Sequence, residues 1–479
     1  MSARRSSVRP LVGLVRVVSF ALLAQLALRP ASAQPIVPGP NGRMPPSAIP
    51  SGNLPLIGAP AGNLPERPTA VALPGFERVT GPGPMFDSSP AQWPGRDMAH
   101  YGYVANEYFV SGKADGMPYV TRVVIRQPAD SSKFSGLVVA EAMHPVGAAH
   151  AFEYNSVYLM DAGHIAVEIG TAGVQQFAAF NGERYRTIDV GPTQGSEILA
   201  QVGALVRSSR GPLAGLSVRR MVLWGTSASS AILVNYLPSH AVWRTPDMQR
   251  IYDGFLPASN GSTIAPVDVP MIQIPTQHEY ENIATAQQDS DEPGQQFRSY
   301  EFAGLGHLDS RNNPRFGQED CVQPLSRFPS EAYTSVALYH LFRWVDEGIP
   351  PPMADRVLID RNRRNDGSLM LLDANGNPEG GIRNPYVDVP VSSYTARNTG
   401  TRQSAAATPP QRGSGQGIDM SALLCTLSAY ETPFSPAQLR RMYGSKRSYV
   451  RAFERRLNEL ERQGWSLPVY HDLIMEDAR

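Results

Sequence analysis

Residues 221–236 read MVLWGTSASSAILVNY, and the reading of this stretch decides the fold. Met221 to Trp224 is a short apolar run of strand type. Gly225-Thr226-Ser227-Ala228-Ser229 follows at once, and Ala228 to Tyr236 is a helical run that Pro238 is expected to stop. A strand that passes into a helix across Gly-x-Ser-x-small is the pattern of a nucleophile elbow. The turn is so tight that the residues two before and two after the serine must be small. Gly225 satisfies that condition, and Ser229 stands where a second glycine is common. Such an elbow strains the serine backbone and leaves the hydroxyl exposed. It also turns the Ala228 N–H toward the site, where it can donate to an oxyanion. The plainer alternative is a serine-rich helix cap, a routine use of Ser and Thr. The strand directly upstream favours the elbow.

The flanking sequence supplies the rest of a sheet. Tyr101 to Val110 and Tyr119 to Arg126 read as strands, with Ser111-Gly112 and Asp115-Gly116 as turn residues between them. Leu137 to Glu141, His164 to Ile169, Val218 to Trp224 and Met271 to Ile274 are further short apolar runs. Helical spacing separates them: Ile198, Leu199, Val202, Leu205 and Val206 share a face within Gly195 to Ser209, which Gly211-Pro212 ends. Glu331 to Val345 is a second such helix, closed by Gly348 and Pro350 to Pro352. Strands alternating with helices imply a mostly parallel sheet with helices on both faces. Two amphipathic helices follow near the C-terminus. One opens at Ser435 with Pro436 in its first position. The other, Lys446 to Gln463, carries Tyr449, Phe453, Leu457 and Leu460 along one stripe.

A serine nucleophile needs a base, and Gly304-Leu305-Gly306-His307 follows the run Ser299 to Ala303. Glycine lets such a loop carry an imidazole up to the hydroxyl, and serine before histidine is the order expected of this architecture. The base needs a carboxylate to orient it. Met271 to Ile274 leads into Pro275-Thr276-Gln277-His278-Glu279-Tyr280-Glu281, and Glu279 is the preferred acid. Glu281 is the near alternative; Asp289, Asp291 and Glu292 are weaker ones. The second oxyanion donor is expected from the loop Met143 to Gly147, with His144 lining the site. His144 and His150 stand six apart without a His-Glu-x-x-His pattern, so no metal is expected.

Composition bounds the remaining questions. The chain has 479 residues, 42% hydrophobic and 18% charged, enough for one large catalytic domain. Forty-three basic residues balance 43 acidic ones, which gives no electrostatic reason to expect nucleic acid or an anionic membrane as partner. Residues 1–33 read as a secretory signal: Arg4, Arg5 and Arg9, the apolar run Val17 to Leu28, then Ala31-Ser32-Ala33 as cleavage site. The apolar run is about 12 residues, short for a span of about 20. The protein is therefore expected outside the cytoplasm, periplasmic or secreted. Residues 34–75 are rich in Pro, Gly and Asn and read as a linker, 76–350 as the catalytic core, and 351–479 as an extension packed on it, with a mobile loop at 395–417. Cys321 and Cys425 are the only cysteines. In an oxidising compartment such a pair can form one bridge.

The chain resembles a large bacterial family of exported proteins built on an alpha/beta hydrolase domain. The resemblance runs from about Phe76 to the C-terminus. It rests on Tyr101-Gly102-Tyr103, Glu107 to Gly112 (EYFVSG), Pro118 to Arg122 (PYVTR), Phe134-Ser135-Gly136, the elbow, Gly376-Asn377, Gly380 to Arg383 (GGIR) and Cys425. It implies an α/β-hydrolase fold, with a mostly parallel eight-stranded sheet and a helical C-terminal extension. It also implies a serine hydrolase triad on Ser227, His307 and Glu279. Many members have Asn after the third strand, where this chain has His144. The expected activity is hydrolysis of a small-molecule carboxylic ester without a cofactor. A non-catalytic binding module of the same fold and an acyltransferase stay open as alternatives.

Overall fold

Side chains alternate across a strand, and here the alternation sorts apolar residues onto two separately covered faces. The computed structural model describes residues 62–280, 287–311, 321–360, 369–401 and 424–479. In chain order its strands are Thr69–Ala70 (β1), Gly75–Arg78 (β2), Tyr103–Ala114 (β3), Met117–Pro128 (β4), Leu137–Ala142 (β5), Ile165–Ile169 (β6) and Arg220–Thr226 (β7). Trp243–Arg244 (β8), Gly254–Ala258 (β9), Met271–Gln273 (β10), Phe297–Ser299 (β11), Ser392–Thr395 (β12) and Tyr430–Pro433 (β13) complete them. Nine form one sheet in the order β11-β10-β9-β7-β5-β6-β4-β3-β2. The neighbours from β11 to β6 run parallel; β6, β4, β3 and β2 pair antiparallel.

Leu137, Val139, Val222, Trp224, Leu256 and Ile272 face one core, with helices Ser156–Asp161 and Ser330–Glu347 above them. Val138, Ala140, Met221, Leu223, Phe255 and Met271 face the other, under helices Gly195–Arg207 and Ala228–Val242. The C-terminal helix Lys446–Gln463 buries the expected stripe of Tyr449, Phe453, Leu457 and Leu460. Three of these, Tyr449, Phe453 and Leu457, join the first core with Phe328, Tyr333 and Tyr386, so the extension covers the same face as helix Ser330–Glu347.

Four details differ from the sequence reading. The sheet has nine strands instead of eight, and its exposed edge strand β2 has no counterpart in the sequence reading. The ordered fold starts before residue 76, since β1 pairs with β8 at Thr69↔Trp243. Strand β9 (GFLPA) escaped notice because Gly254 and Pro257 are poor strand formers, yet every residue of it is buried at the centre of the sheet. Helix Ala228–Val242 runs through Pro238, because Tyr236, Leu237, Ser239 and His240 on either side of it are buried. The expected signal and residues 34–61 of the expected linker lie outside the described residues, as do 402–417 of the expected mobile loop. No described helix is long and apolar enough to cross a membrane.

Buried charge ties the antiparallel edge to the sheet centre. The Arg122 guanidinium donates to Glu107 at 2.5 Å and to Glu168 at 2.6 Å, and Arg126 reaches Glu168 at 3.0 Å. Glu107 also takes Arg184 at 2.5 Å. Glu107, Arg122, Arg126 and Glu168 sit on β3, β4 and β6, and Arg184 joins them from the loop after helix Gln175–Phe180, so two of the sequence marks quoted above, around Glu107 and Arg122, meet as one ion cluster. Cys321 and Cys425 are bridged.

Glu331 anchors the C-terminus to the core. Its Oε1 accepts from Ser156 Oγ at 2.9 Å, the Val157 N–H at 2.8 Å and the Tyr470 hydroxyl at 3.0 Å. Burial outweighs these bonds and pushes its carboxyl from 4.5 up to about 7. The folded state thus holds this proton more tightly than the unfolded chain. The resulting stability is complete below about pH 4.5 and is lost as pH rises through about 7, a difference of about 3 kcal/mol. Glu331→Gln has no charge to bury at any pH. In thermal melts between about pH 5 and pH 8, wild type should lose stability relative to Glu331→Gln; parallel melting curves at both pH values would contradict this.

Candidate active site

Strand β7 ends at Thr226, and helix Ala228–Val242 starts two residues on, so Ser227 alone makes the reversal. Its backbone sits at φ 54, ψ −118, a region L-residues rarely occupy, at a cost of about 1–3 kcal/mol. The surroundings hold it there. The Ser227 N–H donates to the Ala258 carbonyl on β9 at 3.0 Å. The Ser229 hydroxyl accepts from the Thr226 N–H and donates to the Thr226 carbonyl, both at 2.9 Å, bracing the turn from inside. The small residue at 229 therefore does more than avoid a clash. A Cβ on Gly225 would meet the Ser229 carbonyl oxygen at 2.5 Å and the Ser230 Cα at 2.7 Å, so glycine is required by backbone contact.

The downstream residues converge on this hydroxyl. His307 Nε2 lies 2.9 Å from Ser227 Oγ, and His307 Nδ1 lies 2.7 Å from Glu279 Oε1. The other Glu279 oxygen accepts from the Thr276 N–H at 2.7 Å and the Thr276 hydroxyl at 2.6 Å. Burial opposes ionisation of Glu279. The adjacent His307, His278 and Thr276 outweigh it and hold the carboxyl below its usual range. An ionised carboxylate only accepts, so His307 carries its proton on Nδ1 and offers an Nε2 lone pair to the serine hydroxyl. Thr276 was not singled out from the sequence. Its Thr-x-x-Glu spacing to Glu279 is the mark of a side chain folding back on a backbone N–H. Among the weaker acids, Asp291 pairs with Arg298 at 2.5 Å and Asp289 with Arg356 at 2.5 Å, both away from His307. Glu281 lies outside the described residues.

The histidine loop is held by the bridged C-terminal segment. The Leu308 N–H donates to Leu427 O at 3.1 Å, and the Ala429 N–H to Leu308 O at 3.0 Å. Gly306 packs so closely on Ala429 that an added Cβ would lie 2.2 Å from that side chain. His278, whose ring centroid is 5.9 Å from that of His307, donates from Nε2 to Thr426 O at 2.6 Å. Burial pushes His278 down to about 4, so it is neutral near neutral pH. A small cavity borders the imidazole, lined in part by Trp224, Ile274, Leu305 and Thr334.

On the opposite side stands the loop after β5. Ala228 opens its helix, so its N–H has no carbonyl within the helix to bond. The loop Met143 to Gly147 was expected to add the second oxyanion donor, and its backbone N–H groups are already engaged within the protein. Met143 donates to Ile169 O, His144 to Ala148 O, Val146 to His144 Nδ1 and Gly147 to His144 O. Pro145 has no N–H. The loop Thr171 to Arg186 packs against it, with Gln176 donating to the Pro145 carbonyl. Among the described residues no group of three or more His, Cys, Asp or Glu is placed to hold a metal ion.

A strand-to-helix elbow in a mostly parallel sheet, facing a histidine and an acid from later loops, defines the α/β-hydrolase class. The chain belongs to the family described as "alpha/beta hydrolase domain", whose family model matches residues 69–476. No curated protein matches it in sequence. Among solved structures, esterase Est22 is 10% identical, with 37% of this chain and 64% of that one covered and a TM-score of 0.27. The chain thus spans just under two thirds of Est22. A cold-adapted esterase from an Arctic intertidal metagenomic library is 15% identical, with 41% and 84% covered and a TM-score of 0.24.

Gly225→Ala places a methyl group against helix backbone that cannot step aside without opening the elbow. Its melting temperature should fall by several degrees, corresponding to about 1–3 kcal/mol. Thermal unfolding checks this; an unchanged melting temperature would show the turn is looser than described.

Proposed function

We propose that the protein is an exported serine hydrolase that cleaves carboxylic esters of small molecules through Ser227, His307 and Glu279. The observation carrying this reading is the unbroken chain of contacts from Glu279 through His307 to Ser227, at 2.7 and 2.9 Å. Ser227 Oγ attacks the ester carbonyl as His307 Nε2 takes its proton, and the carbonyl π electrons move to oxygen. The oxyanion is met by the Ala228 N–H, with the positive end of the helix Ala228–Val242 behind it. Collapse of the intermediate expels the alkoxide, which takes the proton from His307. Water then repeats the sequence on the acyl-enzyme and releases the acid. Glu279 stays ionised and stabilises the imidazolium that forms at each stage. No cofactor enters these steps. The leader read at residues 1–33 and the Cys321–Cys425 bridge support export.

Purified protein should hydrolyse p-nitrophenyl acetate and be labelled by a fluorophosphonate at Ser227. Ser227→Ala should lose the label and lower kcat on the order of 10⁴-fold or more. Equal labelling of wild type and Ser227→Ala would remove the serine from the mechanism. For Glu279→Gln, kcat should drop on the order of 10⁴-fold, because the amide favours the wrong imidazole tautomer. Full activity in that variant would transfer the role to another acid.

A further inference from the structure

Beside the Ala228 N–H the site lacks a second backbone donor for an oxyanion from the loop after β5. A backbone donor from the loop after β5 would ordinarily oppose the helix N-terminus, and here every N–H from Met143 to Gly147 is engaged within the protein. What the loop presents instead is a side chain. Strands β5 and β7 are adjacent and parallel, and Glu141 is paired with Trp224. His144 and Ser227 each lie three residues beyond that pair, so the two leave the sheet side by side. The His144 ring is buried and stands 4.7 Å, centroid to centroid, from the ring of His150.

The protonation of that ring follows from one hydrogen bond. The Val146 N–H donates to His144 Nδ1 at 3.2 Å, and a backbone N–H can only donate. Nδ1 therefore carries a lone pair. Burial, with smaller contributions from His150 and His307, holds the imidazole well below its usual range, so it is neutral and its single proton sits on Nε2. The result is a fixed, uncharged N–H donor on the strand end neighbouring that of Ser227, in a ring oriented by its own loop.

We propose that His144 is a catalytic residue, whose Nε2–H donates to the substrate oxyanion opposite the Ala228 N–H. This rests on the esterase reading above and adds a residue to it. His144 keeps its proton throughout, since it lends a hydrogen bond to the developing charge and does not transfer the proton. A neutral donor suits this place. An imidazolium there would lower the basicity of His307, and a loop backbone donor would require the hydrogen bonds of residues 143–147 to be broken. The side-chain donor costs no such rearrangement during the reaction.

The test measures kcat and KM for p-nitrophenyl acetate in wild type, His144→Ala, His144→Leu and His144→Asn. Leu fills much of the ring volume without a donor, and Asn restores a short N–H donor. His144→Ala and His144→Leu should lower kcat about 10²- to 10³-fold with KM changed less than about threefold, and His144→Asn should recover at least about tenfold of the loss. Circular-dichroism melts establish that each variant is folded at the assay temperature; if the Ala variant is not, the comparison of Leu with Asn carries the test. A kcat in His144→Leu within about threefold of wild type, or an Asn variant no better than Leu, overturns the role of His144 alone. Absence of turnover in wild type removes the esterase reading, and this inference with it.

Discussion

The site depends on a single backbone reversal at Ser227. Strand β7, an inner strand of the sheet, passes into its helix through a single residue held at positive φ. That residue is strained, and the strain persists because three neighbours hold it: Ala258 through the Ser227 N–H, Ser229 through the Thr226 backbone, and Gly225 by lacking a side chain. The same reversal exposes the hydroxyl and turns the helix N-terminus toward it. The placements of the Ser227 hydroxyl and the Ala228 N–H are therefore two consequences of one conformation.

His307 and Glu279 are positioned differently. They sit on loops, and loops need outside support to hold a geometry fine enough for catalysis. Thr276 clamps one oxygen of Glu279, leaving the other for His307. The C-terminal segment from Cys425 to Ala429 lies along the His307 loop and bonds to both sides of Leu308. The extension is thus part of the site's framework: Tyr470 and Glu331 fasten it below, and the Cys321–Cys425 bridge fastens it beside the loop.

Strand β7, the elbow and helix Ala228–Val242 were legible because their signals are local: an apolar run, small residues at fixed offsets and a change of period. The stripe Tyr449, Phe453, Leu457 and Leu460 was legible for the same reason. Strand β9 was not, since Gly254 and Pro257 mask a segment whose extension is imposed by β7 and β10 on either side. The end of helix Ala228–Val242 was misread because Pro238 is a strong local signal that burial of its neighbours overrides. Strand β2 is an exposed edge with little apolar content to betray it.

From its residues alone, the chain marked Ser227, His307 and Glu279 as candidate site residues and showed the alternation of strands with helices, through small residues at fixed offsets, chain order and hydrophobic period. Only the tertiary structure decided that Cys321 and Cys425 meet, that Thr276 and the C-terminal segment brace the histidine and acid, and that the loop after β5 spends its own N–H groups. The bridge and the C-terminal brace join atoms more than a hundred residues apart, a distance no local pattern encodes, whereas the Thr276 clamp and the bonds of the loop after β5 are mostly short in sequence and depend on the surrounding fold for their geometry.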